Sequence, residues 1–434
     1  MIVLLLISGS AAALAPGQVG VQVTIPVSGI ADTAQAVVVD PSGNVVLAGS
    51  AGGNYSVLVR LLPNGSLDNS FGVSGIANLD LSINLGDALR ALVRMDDGRY
   101  VGCGIFTSPG TANDFVVARF ASNGSPDSSF NGSGFAVTPF GASGPGEQCN
   151  AVAIQPDGML VSAGYTYESG PSHVAMTRHS ASGALDTGFG IGGKLNINAA
   201  ATASGNSEAK AVLVQPDGKI LVAGYAFGPG HSEFLLMRLN TDGSPDASFG
   251  TGGITRTALG TSEDIANAMV RQPDGRIVLA GSTYAAGGQR DFGLARYTSS
   301  GVLDPAFGVG GVVSTAVGPS DDYAYSLVLM PWGRLVAGGS SRTAAGQSPT
   351  DLALVAYNAD GTLDRYFGLA GKRIVDVSSG SDVVYGLASD ISGSRLWAVG
   401  TASRSNMVPN QDFVAAEFGL PDTIFRDGFE IPTP

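Results

Sequence analysis

A tight glycine turn recurs seven times along this chain. Its glycine falls at Gly43, Gly98, Gly158, Gly218, Gly275, Gly333 and Gly393, at intervals of 55 to 60 residues. A second marker keeps the same beat. Phe71, Phe130, Phe189, Phe249, Phe307 and Phe367 each close an Asp-x-x-Phe tetrad. A unit this short cannot bury its own apolar face and must stack on its neighbours. The array therefore predicts one repeat architecture, overriding the two or three domains that 434 residues would otherwise suggest.

One unit reads as four strands. In the fourth copy, Ala211-Val212-Leu213-Val214 is a short β-branched run, and Pro216-Asp217-Gly218 is a hairpin turn. Residues 219–224 form a second strand and 233–239 a third. The turn Thr241-Asp242-Gly243 and the tetrad ending at Phe249 lead into a fourth, 253–257. Four antiparallel strands repeated around an axis describe a β-propeller blade. Seven units carry strands one to three, but only six carry a fourth strand after them. Gly20-Val21-Gln22-Val23-Thr24 matches the missing one. The expected fold is all-β: a single seven-bladed β-propeller over 19–418, four antiparallel strands per blade, its ring closed by the N-terminal strand. Closure removes the edge strands that would otherwise seed aggregation.

The pattern Gln-Pro-Asp-Gly-Lys-Ile-Leu-Val-Ala-Gly followed by Asp-x-x-Phe-Gly resembles the bacterial delta-60 repeat family of β-propellers. Gln155, Gln215 and Gln272 each precede Pro-Asp-Gly, and the likeness spans about Gly20 to Phe418. It is weaker at Pro41-Ser42-Gly43, Asp96-Asp97-Gly98, Pro331-Trp332-Gly333 and Ile391-Ser392-Gly393. The resemblance implies a secreted or surface-associated repeat protein and carries no catalytic residues with it. The stretch Ile424-Phe425-Arg426-Asp427-Gly428-Phe429-Glu430 lies outside the propeller, in a tail of residues 419–434.

Charge narrows the partners. The net charge is −13 and only 14% of residues are charged. Such a field repels phosphate backbones, which argues against nucleic acid. At the N-terminus an apolar run, Met1 to Ile7, precedes small residues with an Ala-x-Ala site ending at Ala13 or Ala15. This fits a signal peptide over residues 1–15, although no basic residue occurs before Arg60. The run is shorter than the ~20 residues that span a bilayer. A secreted, periplasmic or cell-surface monomer without membrane insertion is expected. Cys103 and Cys149 fall in neighbouring units, at positions held elsewhere by Ala223 and Ala209. They can be a disulfide or two small core residues.

Two constellations recur. An Arg and an Asp eight residues apart appear as Arg60/Asp68, Arg119/Asp127, Arg178/Asp186, Arg238/Asp246 and Arg296/Asp304. An Arg fork suits a buried carboxylate turn, so these pairs are expected to be structural. Asp32, Asp87, Glu147, Asp264, Asp322 and Asp382 lie eleven residues before the turn glycine, and Glu208 lies ten before it. Two readings of this ring stand: turn caps that accept backbone N–H bonds, or a rim that binds a cation such as Ca²⁺.

The turns after strands one and three share one face and are regular. The loops after strands two and four share the other and vary. That face carries Tyr165, Tyr167, Tyr225, Phe227 and Tyr284, as a ligand platform or as packing beneath the loops. Enzyme signals are thin: the three histidines occupy unrelated repeat positions, and no Gly-x-Ser-x-Gly elbow occurs. The sequence thus points to an exported, non-catalytic scaffold that binds a glycan, peptide or surface protein through its variable loops. The alternatives are a polysaccharide hydrolase or lyase using carboxylates at the channel mouth, and a structural surface protein stabilised by cations.

Overall fold

The computed structural model describes residues 14–53, 55–79, 81, 86–107, 113–141, 146–167, 170–285, 287–342, 349–403 and 411–420. The apolar N-terminal run, nearly all of the C-terminal tail and parts of the variable loops of all but the fourth blade lie outside these residues. The described chain forms seven four-stranded antiparallel sheets. Six are consecutive in sequence. The seventh joins Asp382–Ser389, Arg395–Ser403 and Gln411–Gly419 to the N-terminal strand Val19–Ile25. Val23 pairs with Ala415 and Ile25 with Phe413. This is the seven-bladed propeller with the expected closure. The Gly17 amide also donates to the Gly419 carbonyl at 2.7 Å, fastening the two ends of the ring. Among the described residues no helix is long and apolar enough to cross a membrane.

Stacking explains why one repeat cannot fold alone. The core divides into seven clusters, each shared by two adjacent blades. Trp397 of blade seven, for example, packs with Val45 and Leu47 of blade one. The tetrad phenylalanines are fully buried. Cys103 and Cys149 are bonded, linking strand two of blade two to strand one of blade three.

The Arg–Asp pairs are inter-blade staples. Arg238 Nε donates to Asp246 at 2.7 Å, and its guanidinium lies 4.5 Å from the Phe249 ring centre. Its Nη1 donates to the Ser299 carbonyl of the next blade at 2.7 Å. Arg60 and Arg296 repeat this geometry with Ser122 and Ala359, and Arg119 and Arg178 reach Ala181 and Thr241. Blade six has Ala356 at the Arg position, and Arg334, just before strand two, reaches Asp364 instead, at 3.3 Å. Blade seven reverses the charges: Glu417 takes the Arg position and meets Arg395 at 2.9 Å.

The first strands are Asp32–Val39, Ala88–Arg94, Glu147–Ile154, Ser207–Val214, Ile265–Arg271, Asp322–Leu329 and Asp382–Ser389. Each touches the first strands of both neighbours, so together they line the central axis. Every one carries a β-bulge at the same place. Strand two answers with glycine: Gly49, Gly104, Gly164, Gly224, Gly281, Gly339 and Gly400. A Cβ at any of these would lie 1.7–1.9 Å from a first-strand carbonyl oxygen. The glycine at this place in every second strand is therefore required by close backbone approach at the bulge.

Candidate functional site

The carboxylates that begin the first strands face inward to their own loops. Asp32 accepts the Val27 and Ser28 amides at 2.8 Å each. Asp264 accepts Leu259 at 2.7 Å, Asp322 accepts Val317 at 2.7 Å, and Asp382 accepts Val377 at 2.8 Å. Asp87 accepts Leu81, and Glu147 accepts Phe140 and Gly141. Each carboxylate pins the loop that arrives from the preceding blade. Blade four departs from the sequence expectation. Ser207 holds the capping position there, its Oγ accepting the Ala199 amide at 3.1 Å. Glu208, one residue on, pairs with Lys210 at 2.9 Å. Asp382 is the member with further acidic company: one of its oxygens lies within 4.8 Å of one oxygen each of Asp351 and Asp376. Burial pushes its carboxyl up to about 6.

The extra residue of each bulge is what the axis sees. These residues are Gln35, Arg90, Asn150, Lys210, Asn267, Tyr325 and Tyr385, all half-buried. The residue just before each, from Ala34 round to Val384, is fully buried and apolar. A bulge lets the backbone present one more side chain to the lumen without moving the core-facing ones. Two of the seven serve the fold: Asn150 Nδ2 donates to the Ala209 carbonyl and Asn267 Nδ2 to the Ala324 carbonyl, each at 2.8 Å across a blade boundary.

The other members gather aromatic and charged groups. On one side Lys210 Nζ lies 5.7 Å from the Tyr165 ring centre and 5.8 Å from that of Tyr225. Tyr167 stands edge-on to Tyr165 at 5.5 Å. Burial and the nearby Glu208 charge push the Tyr165 hydroxyl up to about 12 and raise that of Tyr225 further. On the other side Tyr323 stacks with Tyr325 at 6.2 Å, and Tyr325 meets Tyr385 at 5.2 Å. Arg290 sits 4.4 Å over Tyr284 and 5.7 Å from Tyr323. Arg90 is within electrostatic reach of both Tyr165 and Tyr385, and so joins the two sides.

Of the aromatics singled out from sequence, Tyr165, Tyr167 and Tyr225 thus meet at the mouth, and Tyr284 lies with the opposite group. Phe227 does not join them. Its backbone is tied to Ala201 and Asn206 in its own blade's loop. The sequence reading missed the bulge ring, including Arg90, Lys210, Tyr325 and Tyr385. A signal was present: each of the seven is followed by Ala, Ser or Gly.

Elsewhere, two open depressions of about 480 and 470 Å³ lie between the turns of blades three and four and of blades two and three, on the opposite face. They are gaps between regular turns. His179 is buried, bonded to Thr138 at 3.2 Å, and burial pulls its imidazole down to about 4. Tyr297 and Tyr357 make the same inter-blade bond to Thr257 and Thr315. His179 is therefore a packing residue.

Fold and ring together define the class: a seven-bladed β-propeller with an axial mouth on its variable-loop face. Residues 41–71, 96–130, 155–189, 215–249, 272–307 and 333–367 match the model of a β-propeller domain of unknown function (DUF5122), each match ending at a tetrad phenylalanine, and these repeats support membership of a β-propeller family. No curated protein matches the sequence. The crystal structure of the RRP9 WD40 repeats is similar over 94% of this chain and 99% of its own, with TM-score 0.52 and 9% identity. The polysaccharide lyase Uly1 gives 0.48 and 9%, over 89% and 90%. Sqt1 of Chaetomium thermophilum, bound to the N-terminus of ribosomal protein L10, gives 0.43 and 14%, over 91% and 98%. At such identities the likeness concerns fold alone.

Proposed function

We propose that the protein is an exported, non-catalytic scaffold that binds its ligand at the axial mouth of the variable-loop face. One observation carries this reading. At the bulge position the seven blades share a backbone, but no side chain occurs there more than twice, while the positions around it repeat. A rigid ring that displays five kinds of polar and aromatic side chain around one axis is suited to reading a single asymmetric ligand. The Cys103–Cys149 bond supports an oxidising compartment.

The ligand class is a glycan or peptide, since tyrosines offer apolar faces with a polar tip. The test is a screen of the purified chain on glycan and peptide arrays, beside the double variant Tyr165→Ala/Tyr225→Ala. Ligands captured by the wild type should be lost in the variant while far-ultraviolet circular dichroism stays the same. Undiminished capture by the variant would place binding elsewhere and sink the proposal.

A further inference from the structure

Arg90 is the one ring member whose charge has no evident counterpart. Among the described residues no carboxylate lies within ion-pair distance of it, and its Nε is buried without a hydrogen-bond partner. The contrast with its neighbours is sharp. Lys210 is neutralised by Glu208 at 2.9 Å, and Arg290 by Glu263 at 2.5 Å. The staple arginines each hold an aspartate. A guanidinium partly withdrawn from water without an ion-pair partner carries a desolvation cost to the fold. Among the described residues the Tyr165 and Tyr385 hydroxyls lie within its electrostatic reach, and burial lowers its proton affinity. Its fork of N–H donors matches the two oxygens of a planar anion. Tyr165 and Tyr385 both lie within its electrostatic reach, and Tyr385 in turn meets Tyr325 at 5.2 Å, so Arg90 has aromatic company from blades three and seven.

We infer that the axial mouth takes a carboxylate-bearing sugar, a uronate residue of an acidic glycan, with Arg90 gripping the carboxylate and the flanking tyrosines covering the sugar ring. This rests on the reading of the mouth as the binding site. Of the two cations at the bulge positions only Arg90 lacks an ion pair among the described residues, and one guanidinium suits a singly charged group better than a phosphate. The overall charge of −13 then serves selectivity, since long polyanions are repelled except where Arg90 receives them.

Isothermal titration of the full chain with a panel of uronate tetrasaccharides, their methyl esters and neutral maltotetraose tests this, using wild type, Arg90→Gln and Arg90→Lys. The wild type should bind at least one uronate. Its methyl ester, which keeps the ring and removes the charge, should bind at least ten-fold more weakly. Arg90→Gln should lose at least ten-fold in affinity, Arg90→Lys less. The thermal midpoint of Arg90→Gln should stay level or rise, since an unpaired, half-buried cation has been removed. Equal binding of ester and acid, or unchanged binding by Arg90→Gln, would overturn the inference and leave the binding reading standing. A lowered midpoint with intact binding would make Arg90 a packing residue. If no saccharide binds but peptides do so in an Arg90-dependent way, the sugar assignment falls. If neither binds, the scaffold reading falls with it.

Discussion

The tight-turn face and the axial mouth are built by the same seven repeats and follow opposite rules. On the tight-turn face five blades use the same Arg, Asp and Phe, and the two exceptions find a replacement cation or reverse the pair. At the mouth no more than two blades share a bulge residue, and the three exchanged there for tyrosine or lysine gather into groups that no single blade could make. Within one chain, repetition marks what the fold demands of every blade. Divergence at a fixed backbone position marks what the fold leaves free.

The comparison breaks first if the staples prove dispensable. Arg178→Ala removes the one cation that, among the described residues, pairs with Asp186, and the bond to the Thr241 carbonyl of the next blade. Chemical denaturation should show a loss of roughly 3–5 kcal/mol, as for other broken, largely buried ion pairs. Arg238→Ala should cost less, because Lys219 remains on Asp246 at 2.7 Å. Equal losses would mean that packing on the phenylalanine, and not charge compensation, dominates the staple.

Acid should find His179 next. Its imidazole is held down to about 4 in the fold, against an ordinary 6.5. Between those values the unfolded chain binds more protons, so stability falls as the pH is lowered through this window. The loss between pH 7 and pH 5 should be about 2 kcal/mol. His179→Leu, which copies Leu61 and Leu239 of other blades, should flatten that part of the profile in urea titrations. A profile unchanged by the substitution would assign acid sensitivity to other groups.

The capping position sharpens the comparison further. Asp264→Ala should cost roughly 1.5 kcal/mol, the worth of hydrogen bonds to a charged acceptor. Asp264→Ser should recover most of it, because Ser207 already performs this role in blade four. Failure of serine to rescue would show that the carboxylates have a task beyond capping.

How much of this was legible in the sequence follows from the same physics. The turn glycines and the tetrads set blade number and strand order, and the count of fourth strands located the closing strand at Val19–Ile25. Arg–Asp pairs were legible because their spacing never varies. Ser207 was not, because the search was for a charge at a position that requires only an acceptor. The bulge ring was missed for a deeper reason. A bulge adds a residue without altering repeat length, so it shifts which side chains face the lumen but leaves the turn markers in place. Its traces are local: a small residue after the bulge, and the obligatory glycine opposite.

The smallest effect on stability should come from rewriting the mouth itself. Blade three carries Gln148 and Asn150 where blade four carries Glu208 and Lys210. In blade three Gln148 donates to Asn150 at 2.5 Å, and Asn150 in turn holds the next blade's Ala209 carbonyl. The double variant Glu208→Gln/Lys210→Asn therefore transplants a pair that the scaffold already accommodates. It removes an ion pair whole, leaving neither charge stranded. The Asn can bond the Ala266 carbonyl as Asn150 does Ala209. Stability should change by no more than about 0.5 kcal/mol, as for a site outside the packing network. The cation between Tyr165 and Tyr225 is nevertheless gone, so capture of the array ligands should weaken. A large loss of stability would move this pair from the free positions to the required ones, and would erase the distinction between the two faces at the point where it is most exposed to test.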